Sequence, residues 1–240
     1  MPLNKFKNYN ECISYLFNLE RAGIKYDLKN ITSLLNYLGN PQDKYPTIHI
    51  AGTNGKGSVS SVINSVLIES GCNSGLYTSP HITDFRERIL VNGKFISKEF
   101  IIKSVNKLYP EIQKTGPSFF EVTTAIAFDY FRYMKVDVAV IETGLGGRLD
   151  STNIINPVVS VITAISIDHT DMLGKTVEKI TTEKGGIIKN NTPVVVGHIP
   201  LKSEKILKVI ADKRNSEITI VRNGIGFSIL CRNEKGFFFY

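Results

Sequence analysis

Three glycines surround one lysine in the stretch Gly52-Thr53-Asn54-Gly55-Lys56-Gly57-Ser58. A glycine-rich backbone can fold closely around an anion, so that amide groups, a helix dipole and the ammonium group of Lys56 converge on phosphate oxygens. We therefore predict that this loop binds the phosphates of a nucleoside triphosphate. A glycine turn without a ligand is the weaker interpretation, because such a turn does not need a lysine among its glycines.

The spacing of this loop differs from that of the common phosphate loop. The common form has a glycine, four residues and then Gly-Lys-Ser/Thr. Here Ile50 stands where the first glycine is expected, and Gly57 rather than a hydroxyl residue follows Lys56. The pattern therefore disfavours a generic phosphate-loop kinase.

Phosphoryl transfer from a triphosphate needs a hard divalent cation, which takes oxygen ligands. Glu142 ends the apolar run 137–141 and is the predicted carboxylate ligand, with a solvent-facing acid as the alternative. Ser58 is expected to contact phosphate or metal, with a helix cap as the alternative. His169 follows the apolar run 158–167 and Asp168, and it is either a metal ligand or an interior histidine; the residues alone leave both open.

The remaining polar positions are less informative by themselves. Ser79 and His81 either bind a ligand or only shape their loop, and the second interpretation is favoured. Arg148 and Asp150 follow a pair of glycines and could clamp a carboxylate or phosphate, or pair with each other at the surface. Lys184 lies late in a predicted helix, where a cation complements the helix dipole.

The elements that must position these residues alternate between strand and helix. Nearly unbroken apolar runs, typical of strands buried on both faces, occur at 47–50, 137–141, 158–167 and 193–196. Helical spacing predicts two helices before the first strand and others over 97–109, 120–134 and 203–214, with short β segments at 75–78, 217–221 and 227–230. This alternation predicts an α/β fold with a doubly wound, mainly parallel sheet, whose strand ends bring Lys56, Glu142 and His169 to one edge.

Composition limits the class of protein. The 240 residues are 42% hydrophobic and contain no run of about 18 apolar residues, so the sequence predicts a globular protein without a secretory or membrane-spanning segment. The three cysteines lie far apart, which argues against a disulfide framework and favours a cytoplasmic location. The net charge is +7, but the basic residues are scattered, so we interpret the charge as a solvated surface, with attraction of anionic small ligands as the alternative. We expect small-molecule substrates as partners, and neither nucleic acid nor a membrane.

Several motifs together resemble the folylpolyglutamate synthase and dihydrofolate synthase family of the Mur ligase superfamily. In chain order, they are residues 49–58, 77–81, 86–89, 92–93, 119–123, 142–150, 168–170 and 183–189. The unusual spacing of the phosphate loop is the form for which this superfamily is known. Mur-type ligases that act on other acceptors share Gly52 to Lys56, but they give no account of 77–81 followed by 86–93.

The resemblance implies a ligation that consumes ATP and requires Mg²⁺. ATP would phosphorylate a carboxylate of dihydropteroate or a folate, and the amino group of L-glutamate would then attack the acyl phosphate. Two alternatives stay open: a nucleotide-binding or folate-binding module without turnover, and another Mur-type amino-acid ligase.

The resemblance also implies roles for individual residues. The catalytic residues would be Lys56, Lys184 and His169, and the magnesium ligands would be Ser79, Glu142 and His169. The nucleotide would lie on Gly52, Thr53, Asn54, Gly55, Lys56, Gly57 and Ser58, and the other substrates on Ser79, Pro80, His81, Arg88, Phe120, Glu121, Arg148 and Asp150. Lys184 matches a lysine that is carbamylated in this family, a reaction that needs a desolvated amine with a lowered pKa.

Members of this family continue for roughly one more domain of typical size, which carries glutamate-binding residues. We therefore expect residues 1–240 to form an ATP-binding Mur-ligase-type domain that is incomplete at its C-terminal end, with the glutamate-binding domain absent. The resemblance gives no basis for turnover by this chain alone.

Overall fold

The computed structural model describes residues 5–20, 27–221, 229–233 and 236–239. Its helices are α1 (Tyr9–Glu20), α2 (Lys29–Leu38), α3 (Lys56–Glu69), α4 (Lys98–Thr115), α5 (Phe119–Tyr133), α6 (Thr170–Leu173), α7 (Val177–Gly185) and α8 (Leu201–Lys213). Its strands are β1 (Thr47–Ala51), β2 (Ser74–Tyr77), β3 (Ile89–Val91), β4 (Lys94–Phe95), β5 (Val138–Glu142), β6 (Val159–Ile162), β7 (Val194–Val196), β8 (Ile218–Ile220), β9 (Ile229–Asn233) and β10 (Gly236–Phe239). Short 3-10 helices occupy Pro41–Asp43, Phe85–Arg88 and Ser151–Ile154.

Strands β1 to β8 form one sheet in the order β4-β3-β2-β5-β1-β6-β7-β8. The neighbours from β2 to β8 in this order are parallel, while β3 and β4 add antiparallel pairs at one edge. β1 lies between β5 and β6, with Ile50 paired to Glu142 and Ala51 paired to Ile162. The carboxyl ends of these three strands therefore meet at one edge, and the predicted mainly parallel α/β fold is confirmed.

Helices cover both faces of the sheet. Alternate residues of a strand face opposite sides, so Ala51 joins the core beneath α7 and α8, whereas Ile50 packs against α3. The largest core lies beneath α1, α2, α4 and α5, where Phe128 and Phe131 are fully buried. Burial of each such side chain stabilises the fold by about 1.5–3 kcal/mol.

The structure corrects one predicted strand. The run 158–167 is a strand only over β6, because its second half turns towards the phosphate loop. There the carbonyl of Ala164 accepts a hydrogen bond from the Thr53 amide at 2.7 Å, and Thr163 Oγ1 donates to the Asn54 carbonyl at 2.7 Å. In a continued strand, a backbone group such as the Ala164 carbonyl would instead pair with a neighbouring strand.

The other predicted elements have mixed outcomes. The two helices before the first strand and those over 97–109, 120–134 and 203–214 are confirmed as α1, α2, α4, α5 and α8. The predicted β segment 227–230 begins outside the described residues, and β9 starts at Ile229. Across the described ranges, the helices are too short or too polar to cross a bilayer.

Candidate functional site

The phosphate loop joins the end of β1 to the start of α3 and requires glycine at two positions. Gly52 has φ +156°, and a Cβ atom on it would lie 2.0 Å from Thr163 Oγ1. Gly55 has φ +80° and is the N-cap residue of α3. A side chain would clash at the first position and be strained at the second. The loop thus ends at a helix N-terminus, where amide groups and the helix dipole favour an anion.

The backbone of this loop is fixed by the segment that follows β6. The Thr53 amide donates to Ala164, and Thr53 Oγ1 lies 3.2 Å from the Ser166 carbonyl, to which it donates. The Ser166 amide returns a hydrogen bond to Thr53 Oγ1 at 3.1 Å. The side chain of Thr53 therefore holds the loop, whereas Asn54 and Gly55 are exposed.

Two polar side chains of α3 stand at the mouth of the loop. Lys56 is partly exposed, and its Nζ donates to the Thr53 carbonyl at 3.3 Å. Ser58 is exposed and is not the N-cap residue, so the alternative in which it only caps the helix is wrong. Both side chains are placed to reach an anion held by the loop.

Glu142 ends β5 beside the loop and is only 3% exposed. Its Oε2 accepts a hydrogen bond from the Ser79 amide at 3.0 Å and lies 3.7 Å from the place of a Cβ on Gly57. Burial raises the pKa of Glu142, while the Ser79 amide and Lys56 oppose that rise. The alternative of a solvent-facing acid is therefore wrong: this is a buried carboxylate that a nearby cation would stabilise.

Two of the three residues expected to hold Mg²⁺, Glu142 and Ser79, lie together in the structure. The carboxylate of Glu142 and the hydroxyl of Ser79 are the kinds of oxygen donor that Mg²⁺ prefers. The hydrogen bond from the Ser79 amide to Glu142 brings the two residues together. Among the described residues, no three His, Cys, Asp or Glu side chains are grouped to hold a metal. A cation here would therefore rely on Ser79, water or phosphate oxygens as well as Glu142, and the site fits Mg²⁺ in that way.

His169 lies at the start of α6 with its side chain 54% exposed. Its φ is 47°, and its amide donates to Asp168 Oδ1 at 2.8 Å. The alternative of an interior histidine is therefore wrong. Its role as a metal ligand stays a prediction.

Lys184 is the second lysine of the site and is only 3% exposed. It lies in the last turn of α7, and its Nζ donates to the Gly52 carbonyl at 2.8 Å. Burial lowers its pKa to about 8, Lys56 adds to the effect, and Asp168 and Asp150 oppose it. Lys184 therefore lies near the C-terminus of its helix, as predicted, and it also braces the phosphate loop; its pKa is lowered in the direction that carbamylation needs.

A cavity of about 500 Å³ opens beside Ser79. It is lined by Ser79, Pro80, Arg88, Ser118, Phe119, Phe120, residues 144–151, Met172, Leu173 and Glu183. Phe120 packs tightly on Gly144, where a Cβ would lie 2.4 Å from the ring. The buried Arg88 guanidinium lies 5.2 Å from the ring of Phe119, so the wall combines aromatic surface with a positive charge.

The structure separates the other predicted substrate residues. His81 is absent from the cavity lining, and its Nδ1 accepts a hydrogen bond from Arg88 Nε at 2.8 Å. Glu121 is 2% exposed and closes a capping box at the start of α5, where its Oε2 accepts from the Ser118 amide at 2.7 Å. Glu121 therefore orients the helix that carries Phe120.

Arg148 and Asp150 both line the cavity but do not pair with each other. Arg148 donates from Nε and Nη2 to Glu183 Oε1 at 3.1 and 2.9 Å. Asp150 is buried and accepts from the Leu145 amide at 2.8 Å, and burial raises its pKa. The alternative of a surface ion pair between them is wrong.

Sequence reasoning missed several lining residues, among them Ser118, Phe119 and Leu145. One signal was available, because Ser118 and Glu121 have the Ser-x-x-Glu spacing of a capping box and so mark a helix start. Met172 and Leu173 carried no such signal, since their place at the cavity depends on how α6 packs.

A mainly parallel sheet with a glycine loop, a buried carboxylate and a buried lysine at one edge defines a nucleotide-binding α/β domain. Residues 50–228 match the family described as the Mur ligase middle domain, and the chain belongs to that family. The chain is 40% identical over 215 residues to the dihydrofolate synthase/folylpolyglutamate synthase of Bacillus subtilis, covering 87% of this chain and 50% of that relative. This confirms the predicted resemblance.

Solved structures give the same result. A folylpolyglutamate synthase from Thermotoga maritima superposes with a TM-score of 0.88 at 39% identity, covering 96% of this chain and 54% of that one. A structure described as an FPGS-AMPPCP-folate complex superposes with a TM-score of 0.86 at 36% identity, covering 96% of this chain and 60% of that one. The chain thus spans about half the length of the relatives that it matches.

Proposed function

We propose that this chain forms the nucleotide-binding part of an ATP-dependent ligase that adds L-glutamate to dihydropteroate or a folate. One observation carries the proposal: the phosphate loop, the buried Glu142 carboxylate and the buried Lys184 amine share a sheet edge with a cavity that has aromatic walls. The names of the similar proteins support the folate class, and the complex with AMPPCP and folate supports both ligand types.

The phosphate loop would hold the triphosphate of ATP. The N-terminus of α3 and Lys56 would stabilise the charge on the phosphoryl group as it transfers. Lys184 would act indirectly, since its bond to the Gly52 carbonyl holds the loop in place. The loop requires no rearrangement in this role, because Thr53 is already bonded to Ala164 and Ser166.

Glu142, Ser79 and His169 would hold Mg²⁺, whose chemistry is to neutralise negative charge on the phosphates. The buried Glu142 carboxylate lies beside the first turn of α3, so a cation bound to it would also lie beside a phosphate on the loop. His169 is the least typical of the three donors, because Mg²⁺ prefers oxygen.

The cavity would hold the acceptor. Phe119 and Phe120 offer aromatic surface to a flat pterin ring, and Arg88 offers a positive charge to its carboxylate. In the first step an acceptor carboxylate oxygen attacks the γ-phosphorus, and ADP leaves. In the second step the glutamate nitrogen attacks the acyl carbon, the bond from carbon to phosphate oxygen breaks, and the amine loses a proton.

Lys184 would be carbamylated in the working protein. Its neutral amine would attack carbon dioxide and release a proton, which replaces a buried cation by an anion. A pKa of about 8 leaves an appreciable neutral fraction at physiological pH. A carbamate carbon signal in ¹³C-bicarbonate that disappears in Lys184→Met supports this step; the same signal in the variant contradicts it.

Calorimetric titration tests the binding half of the proposal. We expect AMPPCP with Mg²⁺ to bind, and we expect Glu142→Gln to weaken the magnesium-dependent part about tenfold through loss of a carboxylate ligand. Glu69→Gln, an exposed residue at the end of α3, is the matched control. Equal affinity of the wild-type protein for AMPPCP with and without magnesium would contradict the proposed magnesium site.

A phosphate-release assay tests the reaction. In a form of the protein as long as its relatives, we expect release from ATP to require both a pteroate or folate acceptor and L-glutamate. Equal release with other amino acids or acceptors would contradict the folate-glutamate assignment and favour another Mur-type ligase. Binding of AMPPCP and folate without release would instead identify a module without turnover, and absence of all binding would contradict both proposals.

A further inference from the structure

A chain of buried polar side chains runs from the central strand to the cavity wall. His49 lies in β1 and is fully buried, with Nε2 2.9 Å from Oγ1 of Thr152. Thr152 is also fully buried, and its hydroxyl donates to Asp150 Oδ1. Asp150 lines the cavity. This series of hydrogen bonds therefore connects β1, which leads into the phosphate loop, with the wall of the cavity.

The direction of these hydrogen bonds follows from the donors around Asp150. Its carboxylate also accepts from the Leu145 amide at 2.8 Å and the Thr152 amide at 2.9 Å. With both carboxylate oxygens already accepting from amides, Asp150 is the acceptor of this contact as well, so the single hydroxyl hydrogen of Thr152 points to Asp150. His49 Nε2 must then be the donor to Thr152 Oγ1, which places the ring proton on Nε2 and leaves Nδ1 bare.

Two further observations agree with this tautomer. His49 Nδ1 is buried and has no hydrogen-bond partner among the residues described. A buried nitrogen without a proton costs less free energy in this position than a buried N–H group that has no acceptor. Burial and the nearby charge of Lys189 lower the pKa of His49 to about 3, so the ring is neutral at physiological pH. The donor at Nε2 is therefore permanent.

We propose that His49 and Thr152 are positioning residues that hold Asp150, and through it the Leu145 amide, in the arrangement that shapes the acceptor cavity. Because Gly52 directly follows β1, the strand that carries His49, the phosphate loop and the cavity share this anchor. The choice of folate as probe rests on the proposed function, whereas the hydrogen-bond chain does not. If His49 and Thr152 only filled space in the core, removal of the Thr152 hydroxyl would leave the Leu145 amide and the cavity unaffected.

The ligand-free experiment uses ¹⁵N-histidine NMR and amide exchange. The sequence has four histidines, so the His49→Gln variant assigns the signal. We expect a proton on Nε2 and a bare Nδ1 in the wild-type protein. Thr152→Val, which keeps the side-chain shape, should shift the His49 signals and speed exchange of the Leu145 amide about tenfold, whereas Thr152→Ser should retain wild-type behaviour.

The binding experiment compares two probes in the same variants. Thr152→Val should weaken folate binding about tenfold and change the affinity for AMPPCP with Mg²⁺ less than about twofold, and Thr152→Ser should restore folate binding. A wild-type ring proton on Nδ1, or wild-type Leu145 exchange in the valine variant, overturns the inference. If the wild-type protein bound no folate, the proposed function would fail, while the NMR and exchange results would still decide the positioning role.

Discussion

The phosphate loop and the acceptor cavity lie at the same edge of the sheet but are built in different ways. The loop is one short stretch, Gly52 to Ser58, and backbone hydrogen bonds and glycine dihedral angles set its shape. The cavity is assembled from separate segments between Ser79 and Glu183, and side chains such as Arg88 and Asp150 set its walls. The loop therefore depends on its own backbone and on a few fixed contacts with the segment after β6, whereas the cavity depends on the packing of side chains from many segments.

This difference predicts separable effects on the two proposed ligands. Substitutions in the loop should weaken nucleotide binding and spare the acceptor, whereas substitutions in the cavity should do the opposite. Ser79 is the exception, because its amide bonds to Glu142 while the residue lines the cavity. The four predictions below test this separation, beginning with the largest effect.

Gly52→Ala should abolish measurable AMPPCP binding and lower the free energy of unfolding by about 3 kcal/mol. The added Cβ would lie 2.0 Å from Thr163 Oγ1 and 3.2 Å from the Ala164 amide nitrogen, so the loop must move. Calorimetry and chemical denaturation measure the two effects. Gly93→Ala is the control, because it has φ +70° and open space around its Cβ; a control equally impaired in AMPPCP binding would show that the steric argument is wrong.

Lys56→Ala should weaken AMPPCP binding about 10- to 100-fold through loss of a charge-assisted hydrogen bond, with folate affinity unchanged within about twofold. Titration calorimetry with each ligand measures the ratio. Lys44→Ala removes an exposed lysine just before β1, at the end of the strand opposite the phosphate loop. This variant should bind both ligands like the wild-type protein. Equal losses of affinity for AMPPCP and folate in Lys56→Ala would contradict the separation of the two sites.

Lys184 should show its buried charge in the pH dependence of stability. Its folded pKa of about 8 lies below the usual 10.5, so the unfolded chain binds more protons between these values and folding becomes more favourable as pH rises through them. In buffer free of carbon dioxide, the wild-type protein should gain about 3 kcal/mol relative to Lys184→Met between pH 7 and pH 10.5. Denaturant titrations of both proteins measure the gain, and a pH-independent difference would contradict it.

Gly144→Ala should weaken folate binding about tenfold and leave AMPPCP binding within about twofold. The new Cβ would lie 2.4 Å from the Phe120 ring, which must turn into the cavity or away from its neighbours. Tryptophan is absent, so ligand fluorescence or calorimetry is the suitable measurement. Unchanged folate affinity would place the acceptor elsewhere.

The sequence predicted the local part of the site well. The glycine loop, the strand before it and Glu142 at the end of β5 were all readable, because a strand end and a glycine pattern are local properties. The mainly parallel sheet followed from the alternation of strands with helices.

The parts that the sequence did not predict depend on long-range contacts. The sequence placed Lys184 near the end of its helix but could not predict its contact with the Gly52 carbonyl, which is distant in sequence. The run 158–167 is apolar enough for a long strand, but its second half holds the phosphate loop. The capping box that Glu121 closes at the start of its own helix was not predicted, and its role at the substrate stays a prediction.

The hydrogen bonds between Thr53, Ala164 and Ser166 have a consequence for the kinetics and entropy of binding. They order the loop backbone when the domain folds, before any ligand arrives. An anion that enters the loop therefore loses little affinity to conformational entropy of the protein, and its association needs no slow conformational step. Encounter rates should then follow diffusion and charge attraction, and weaken with added salt.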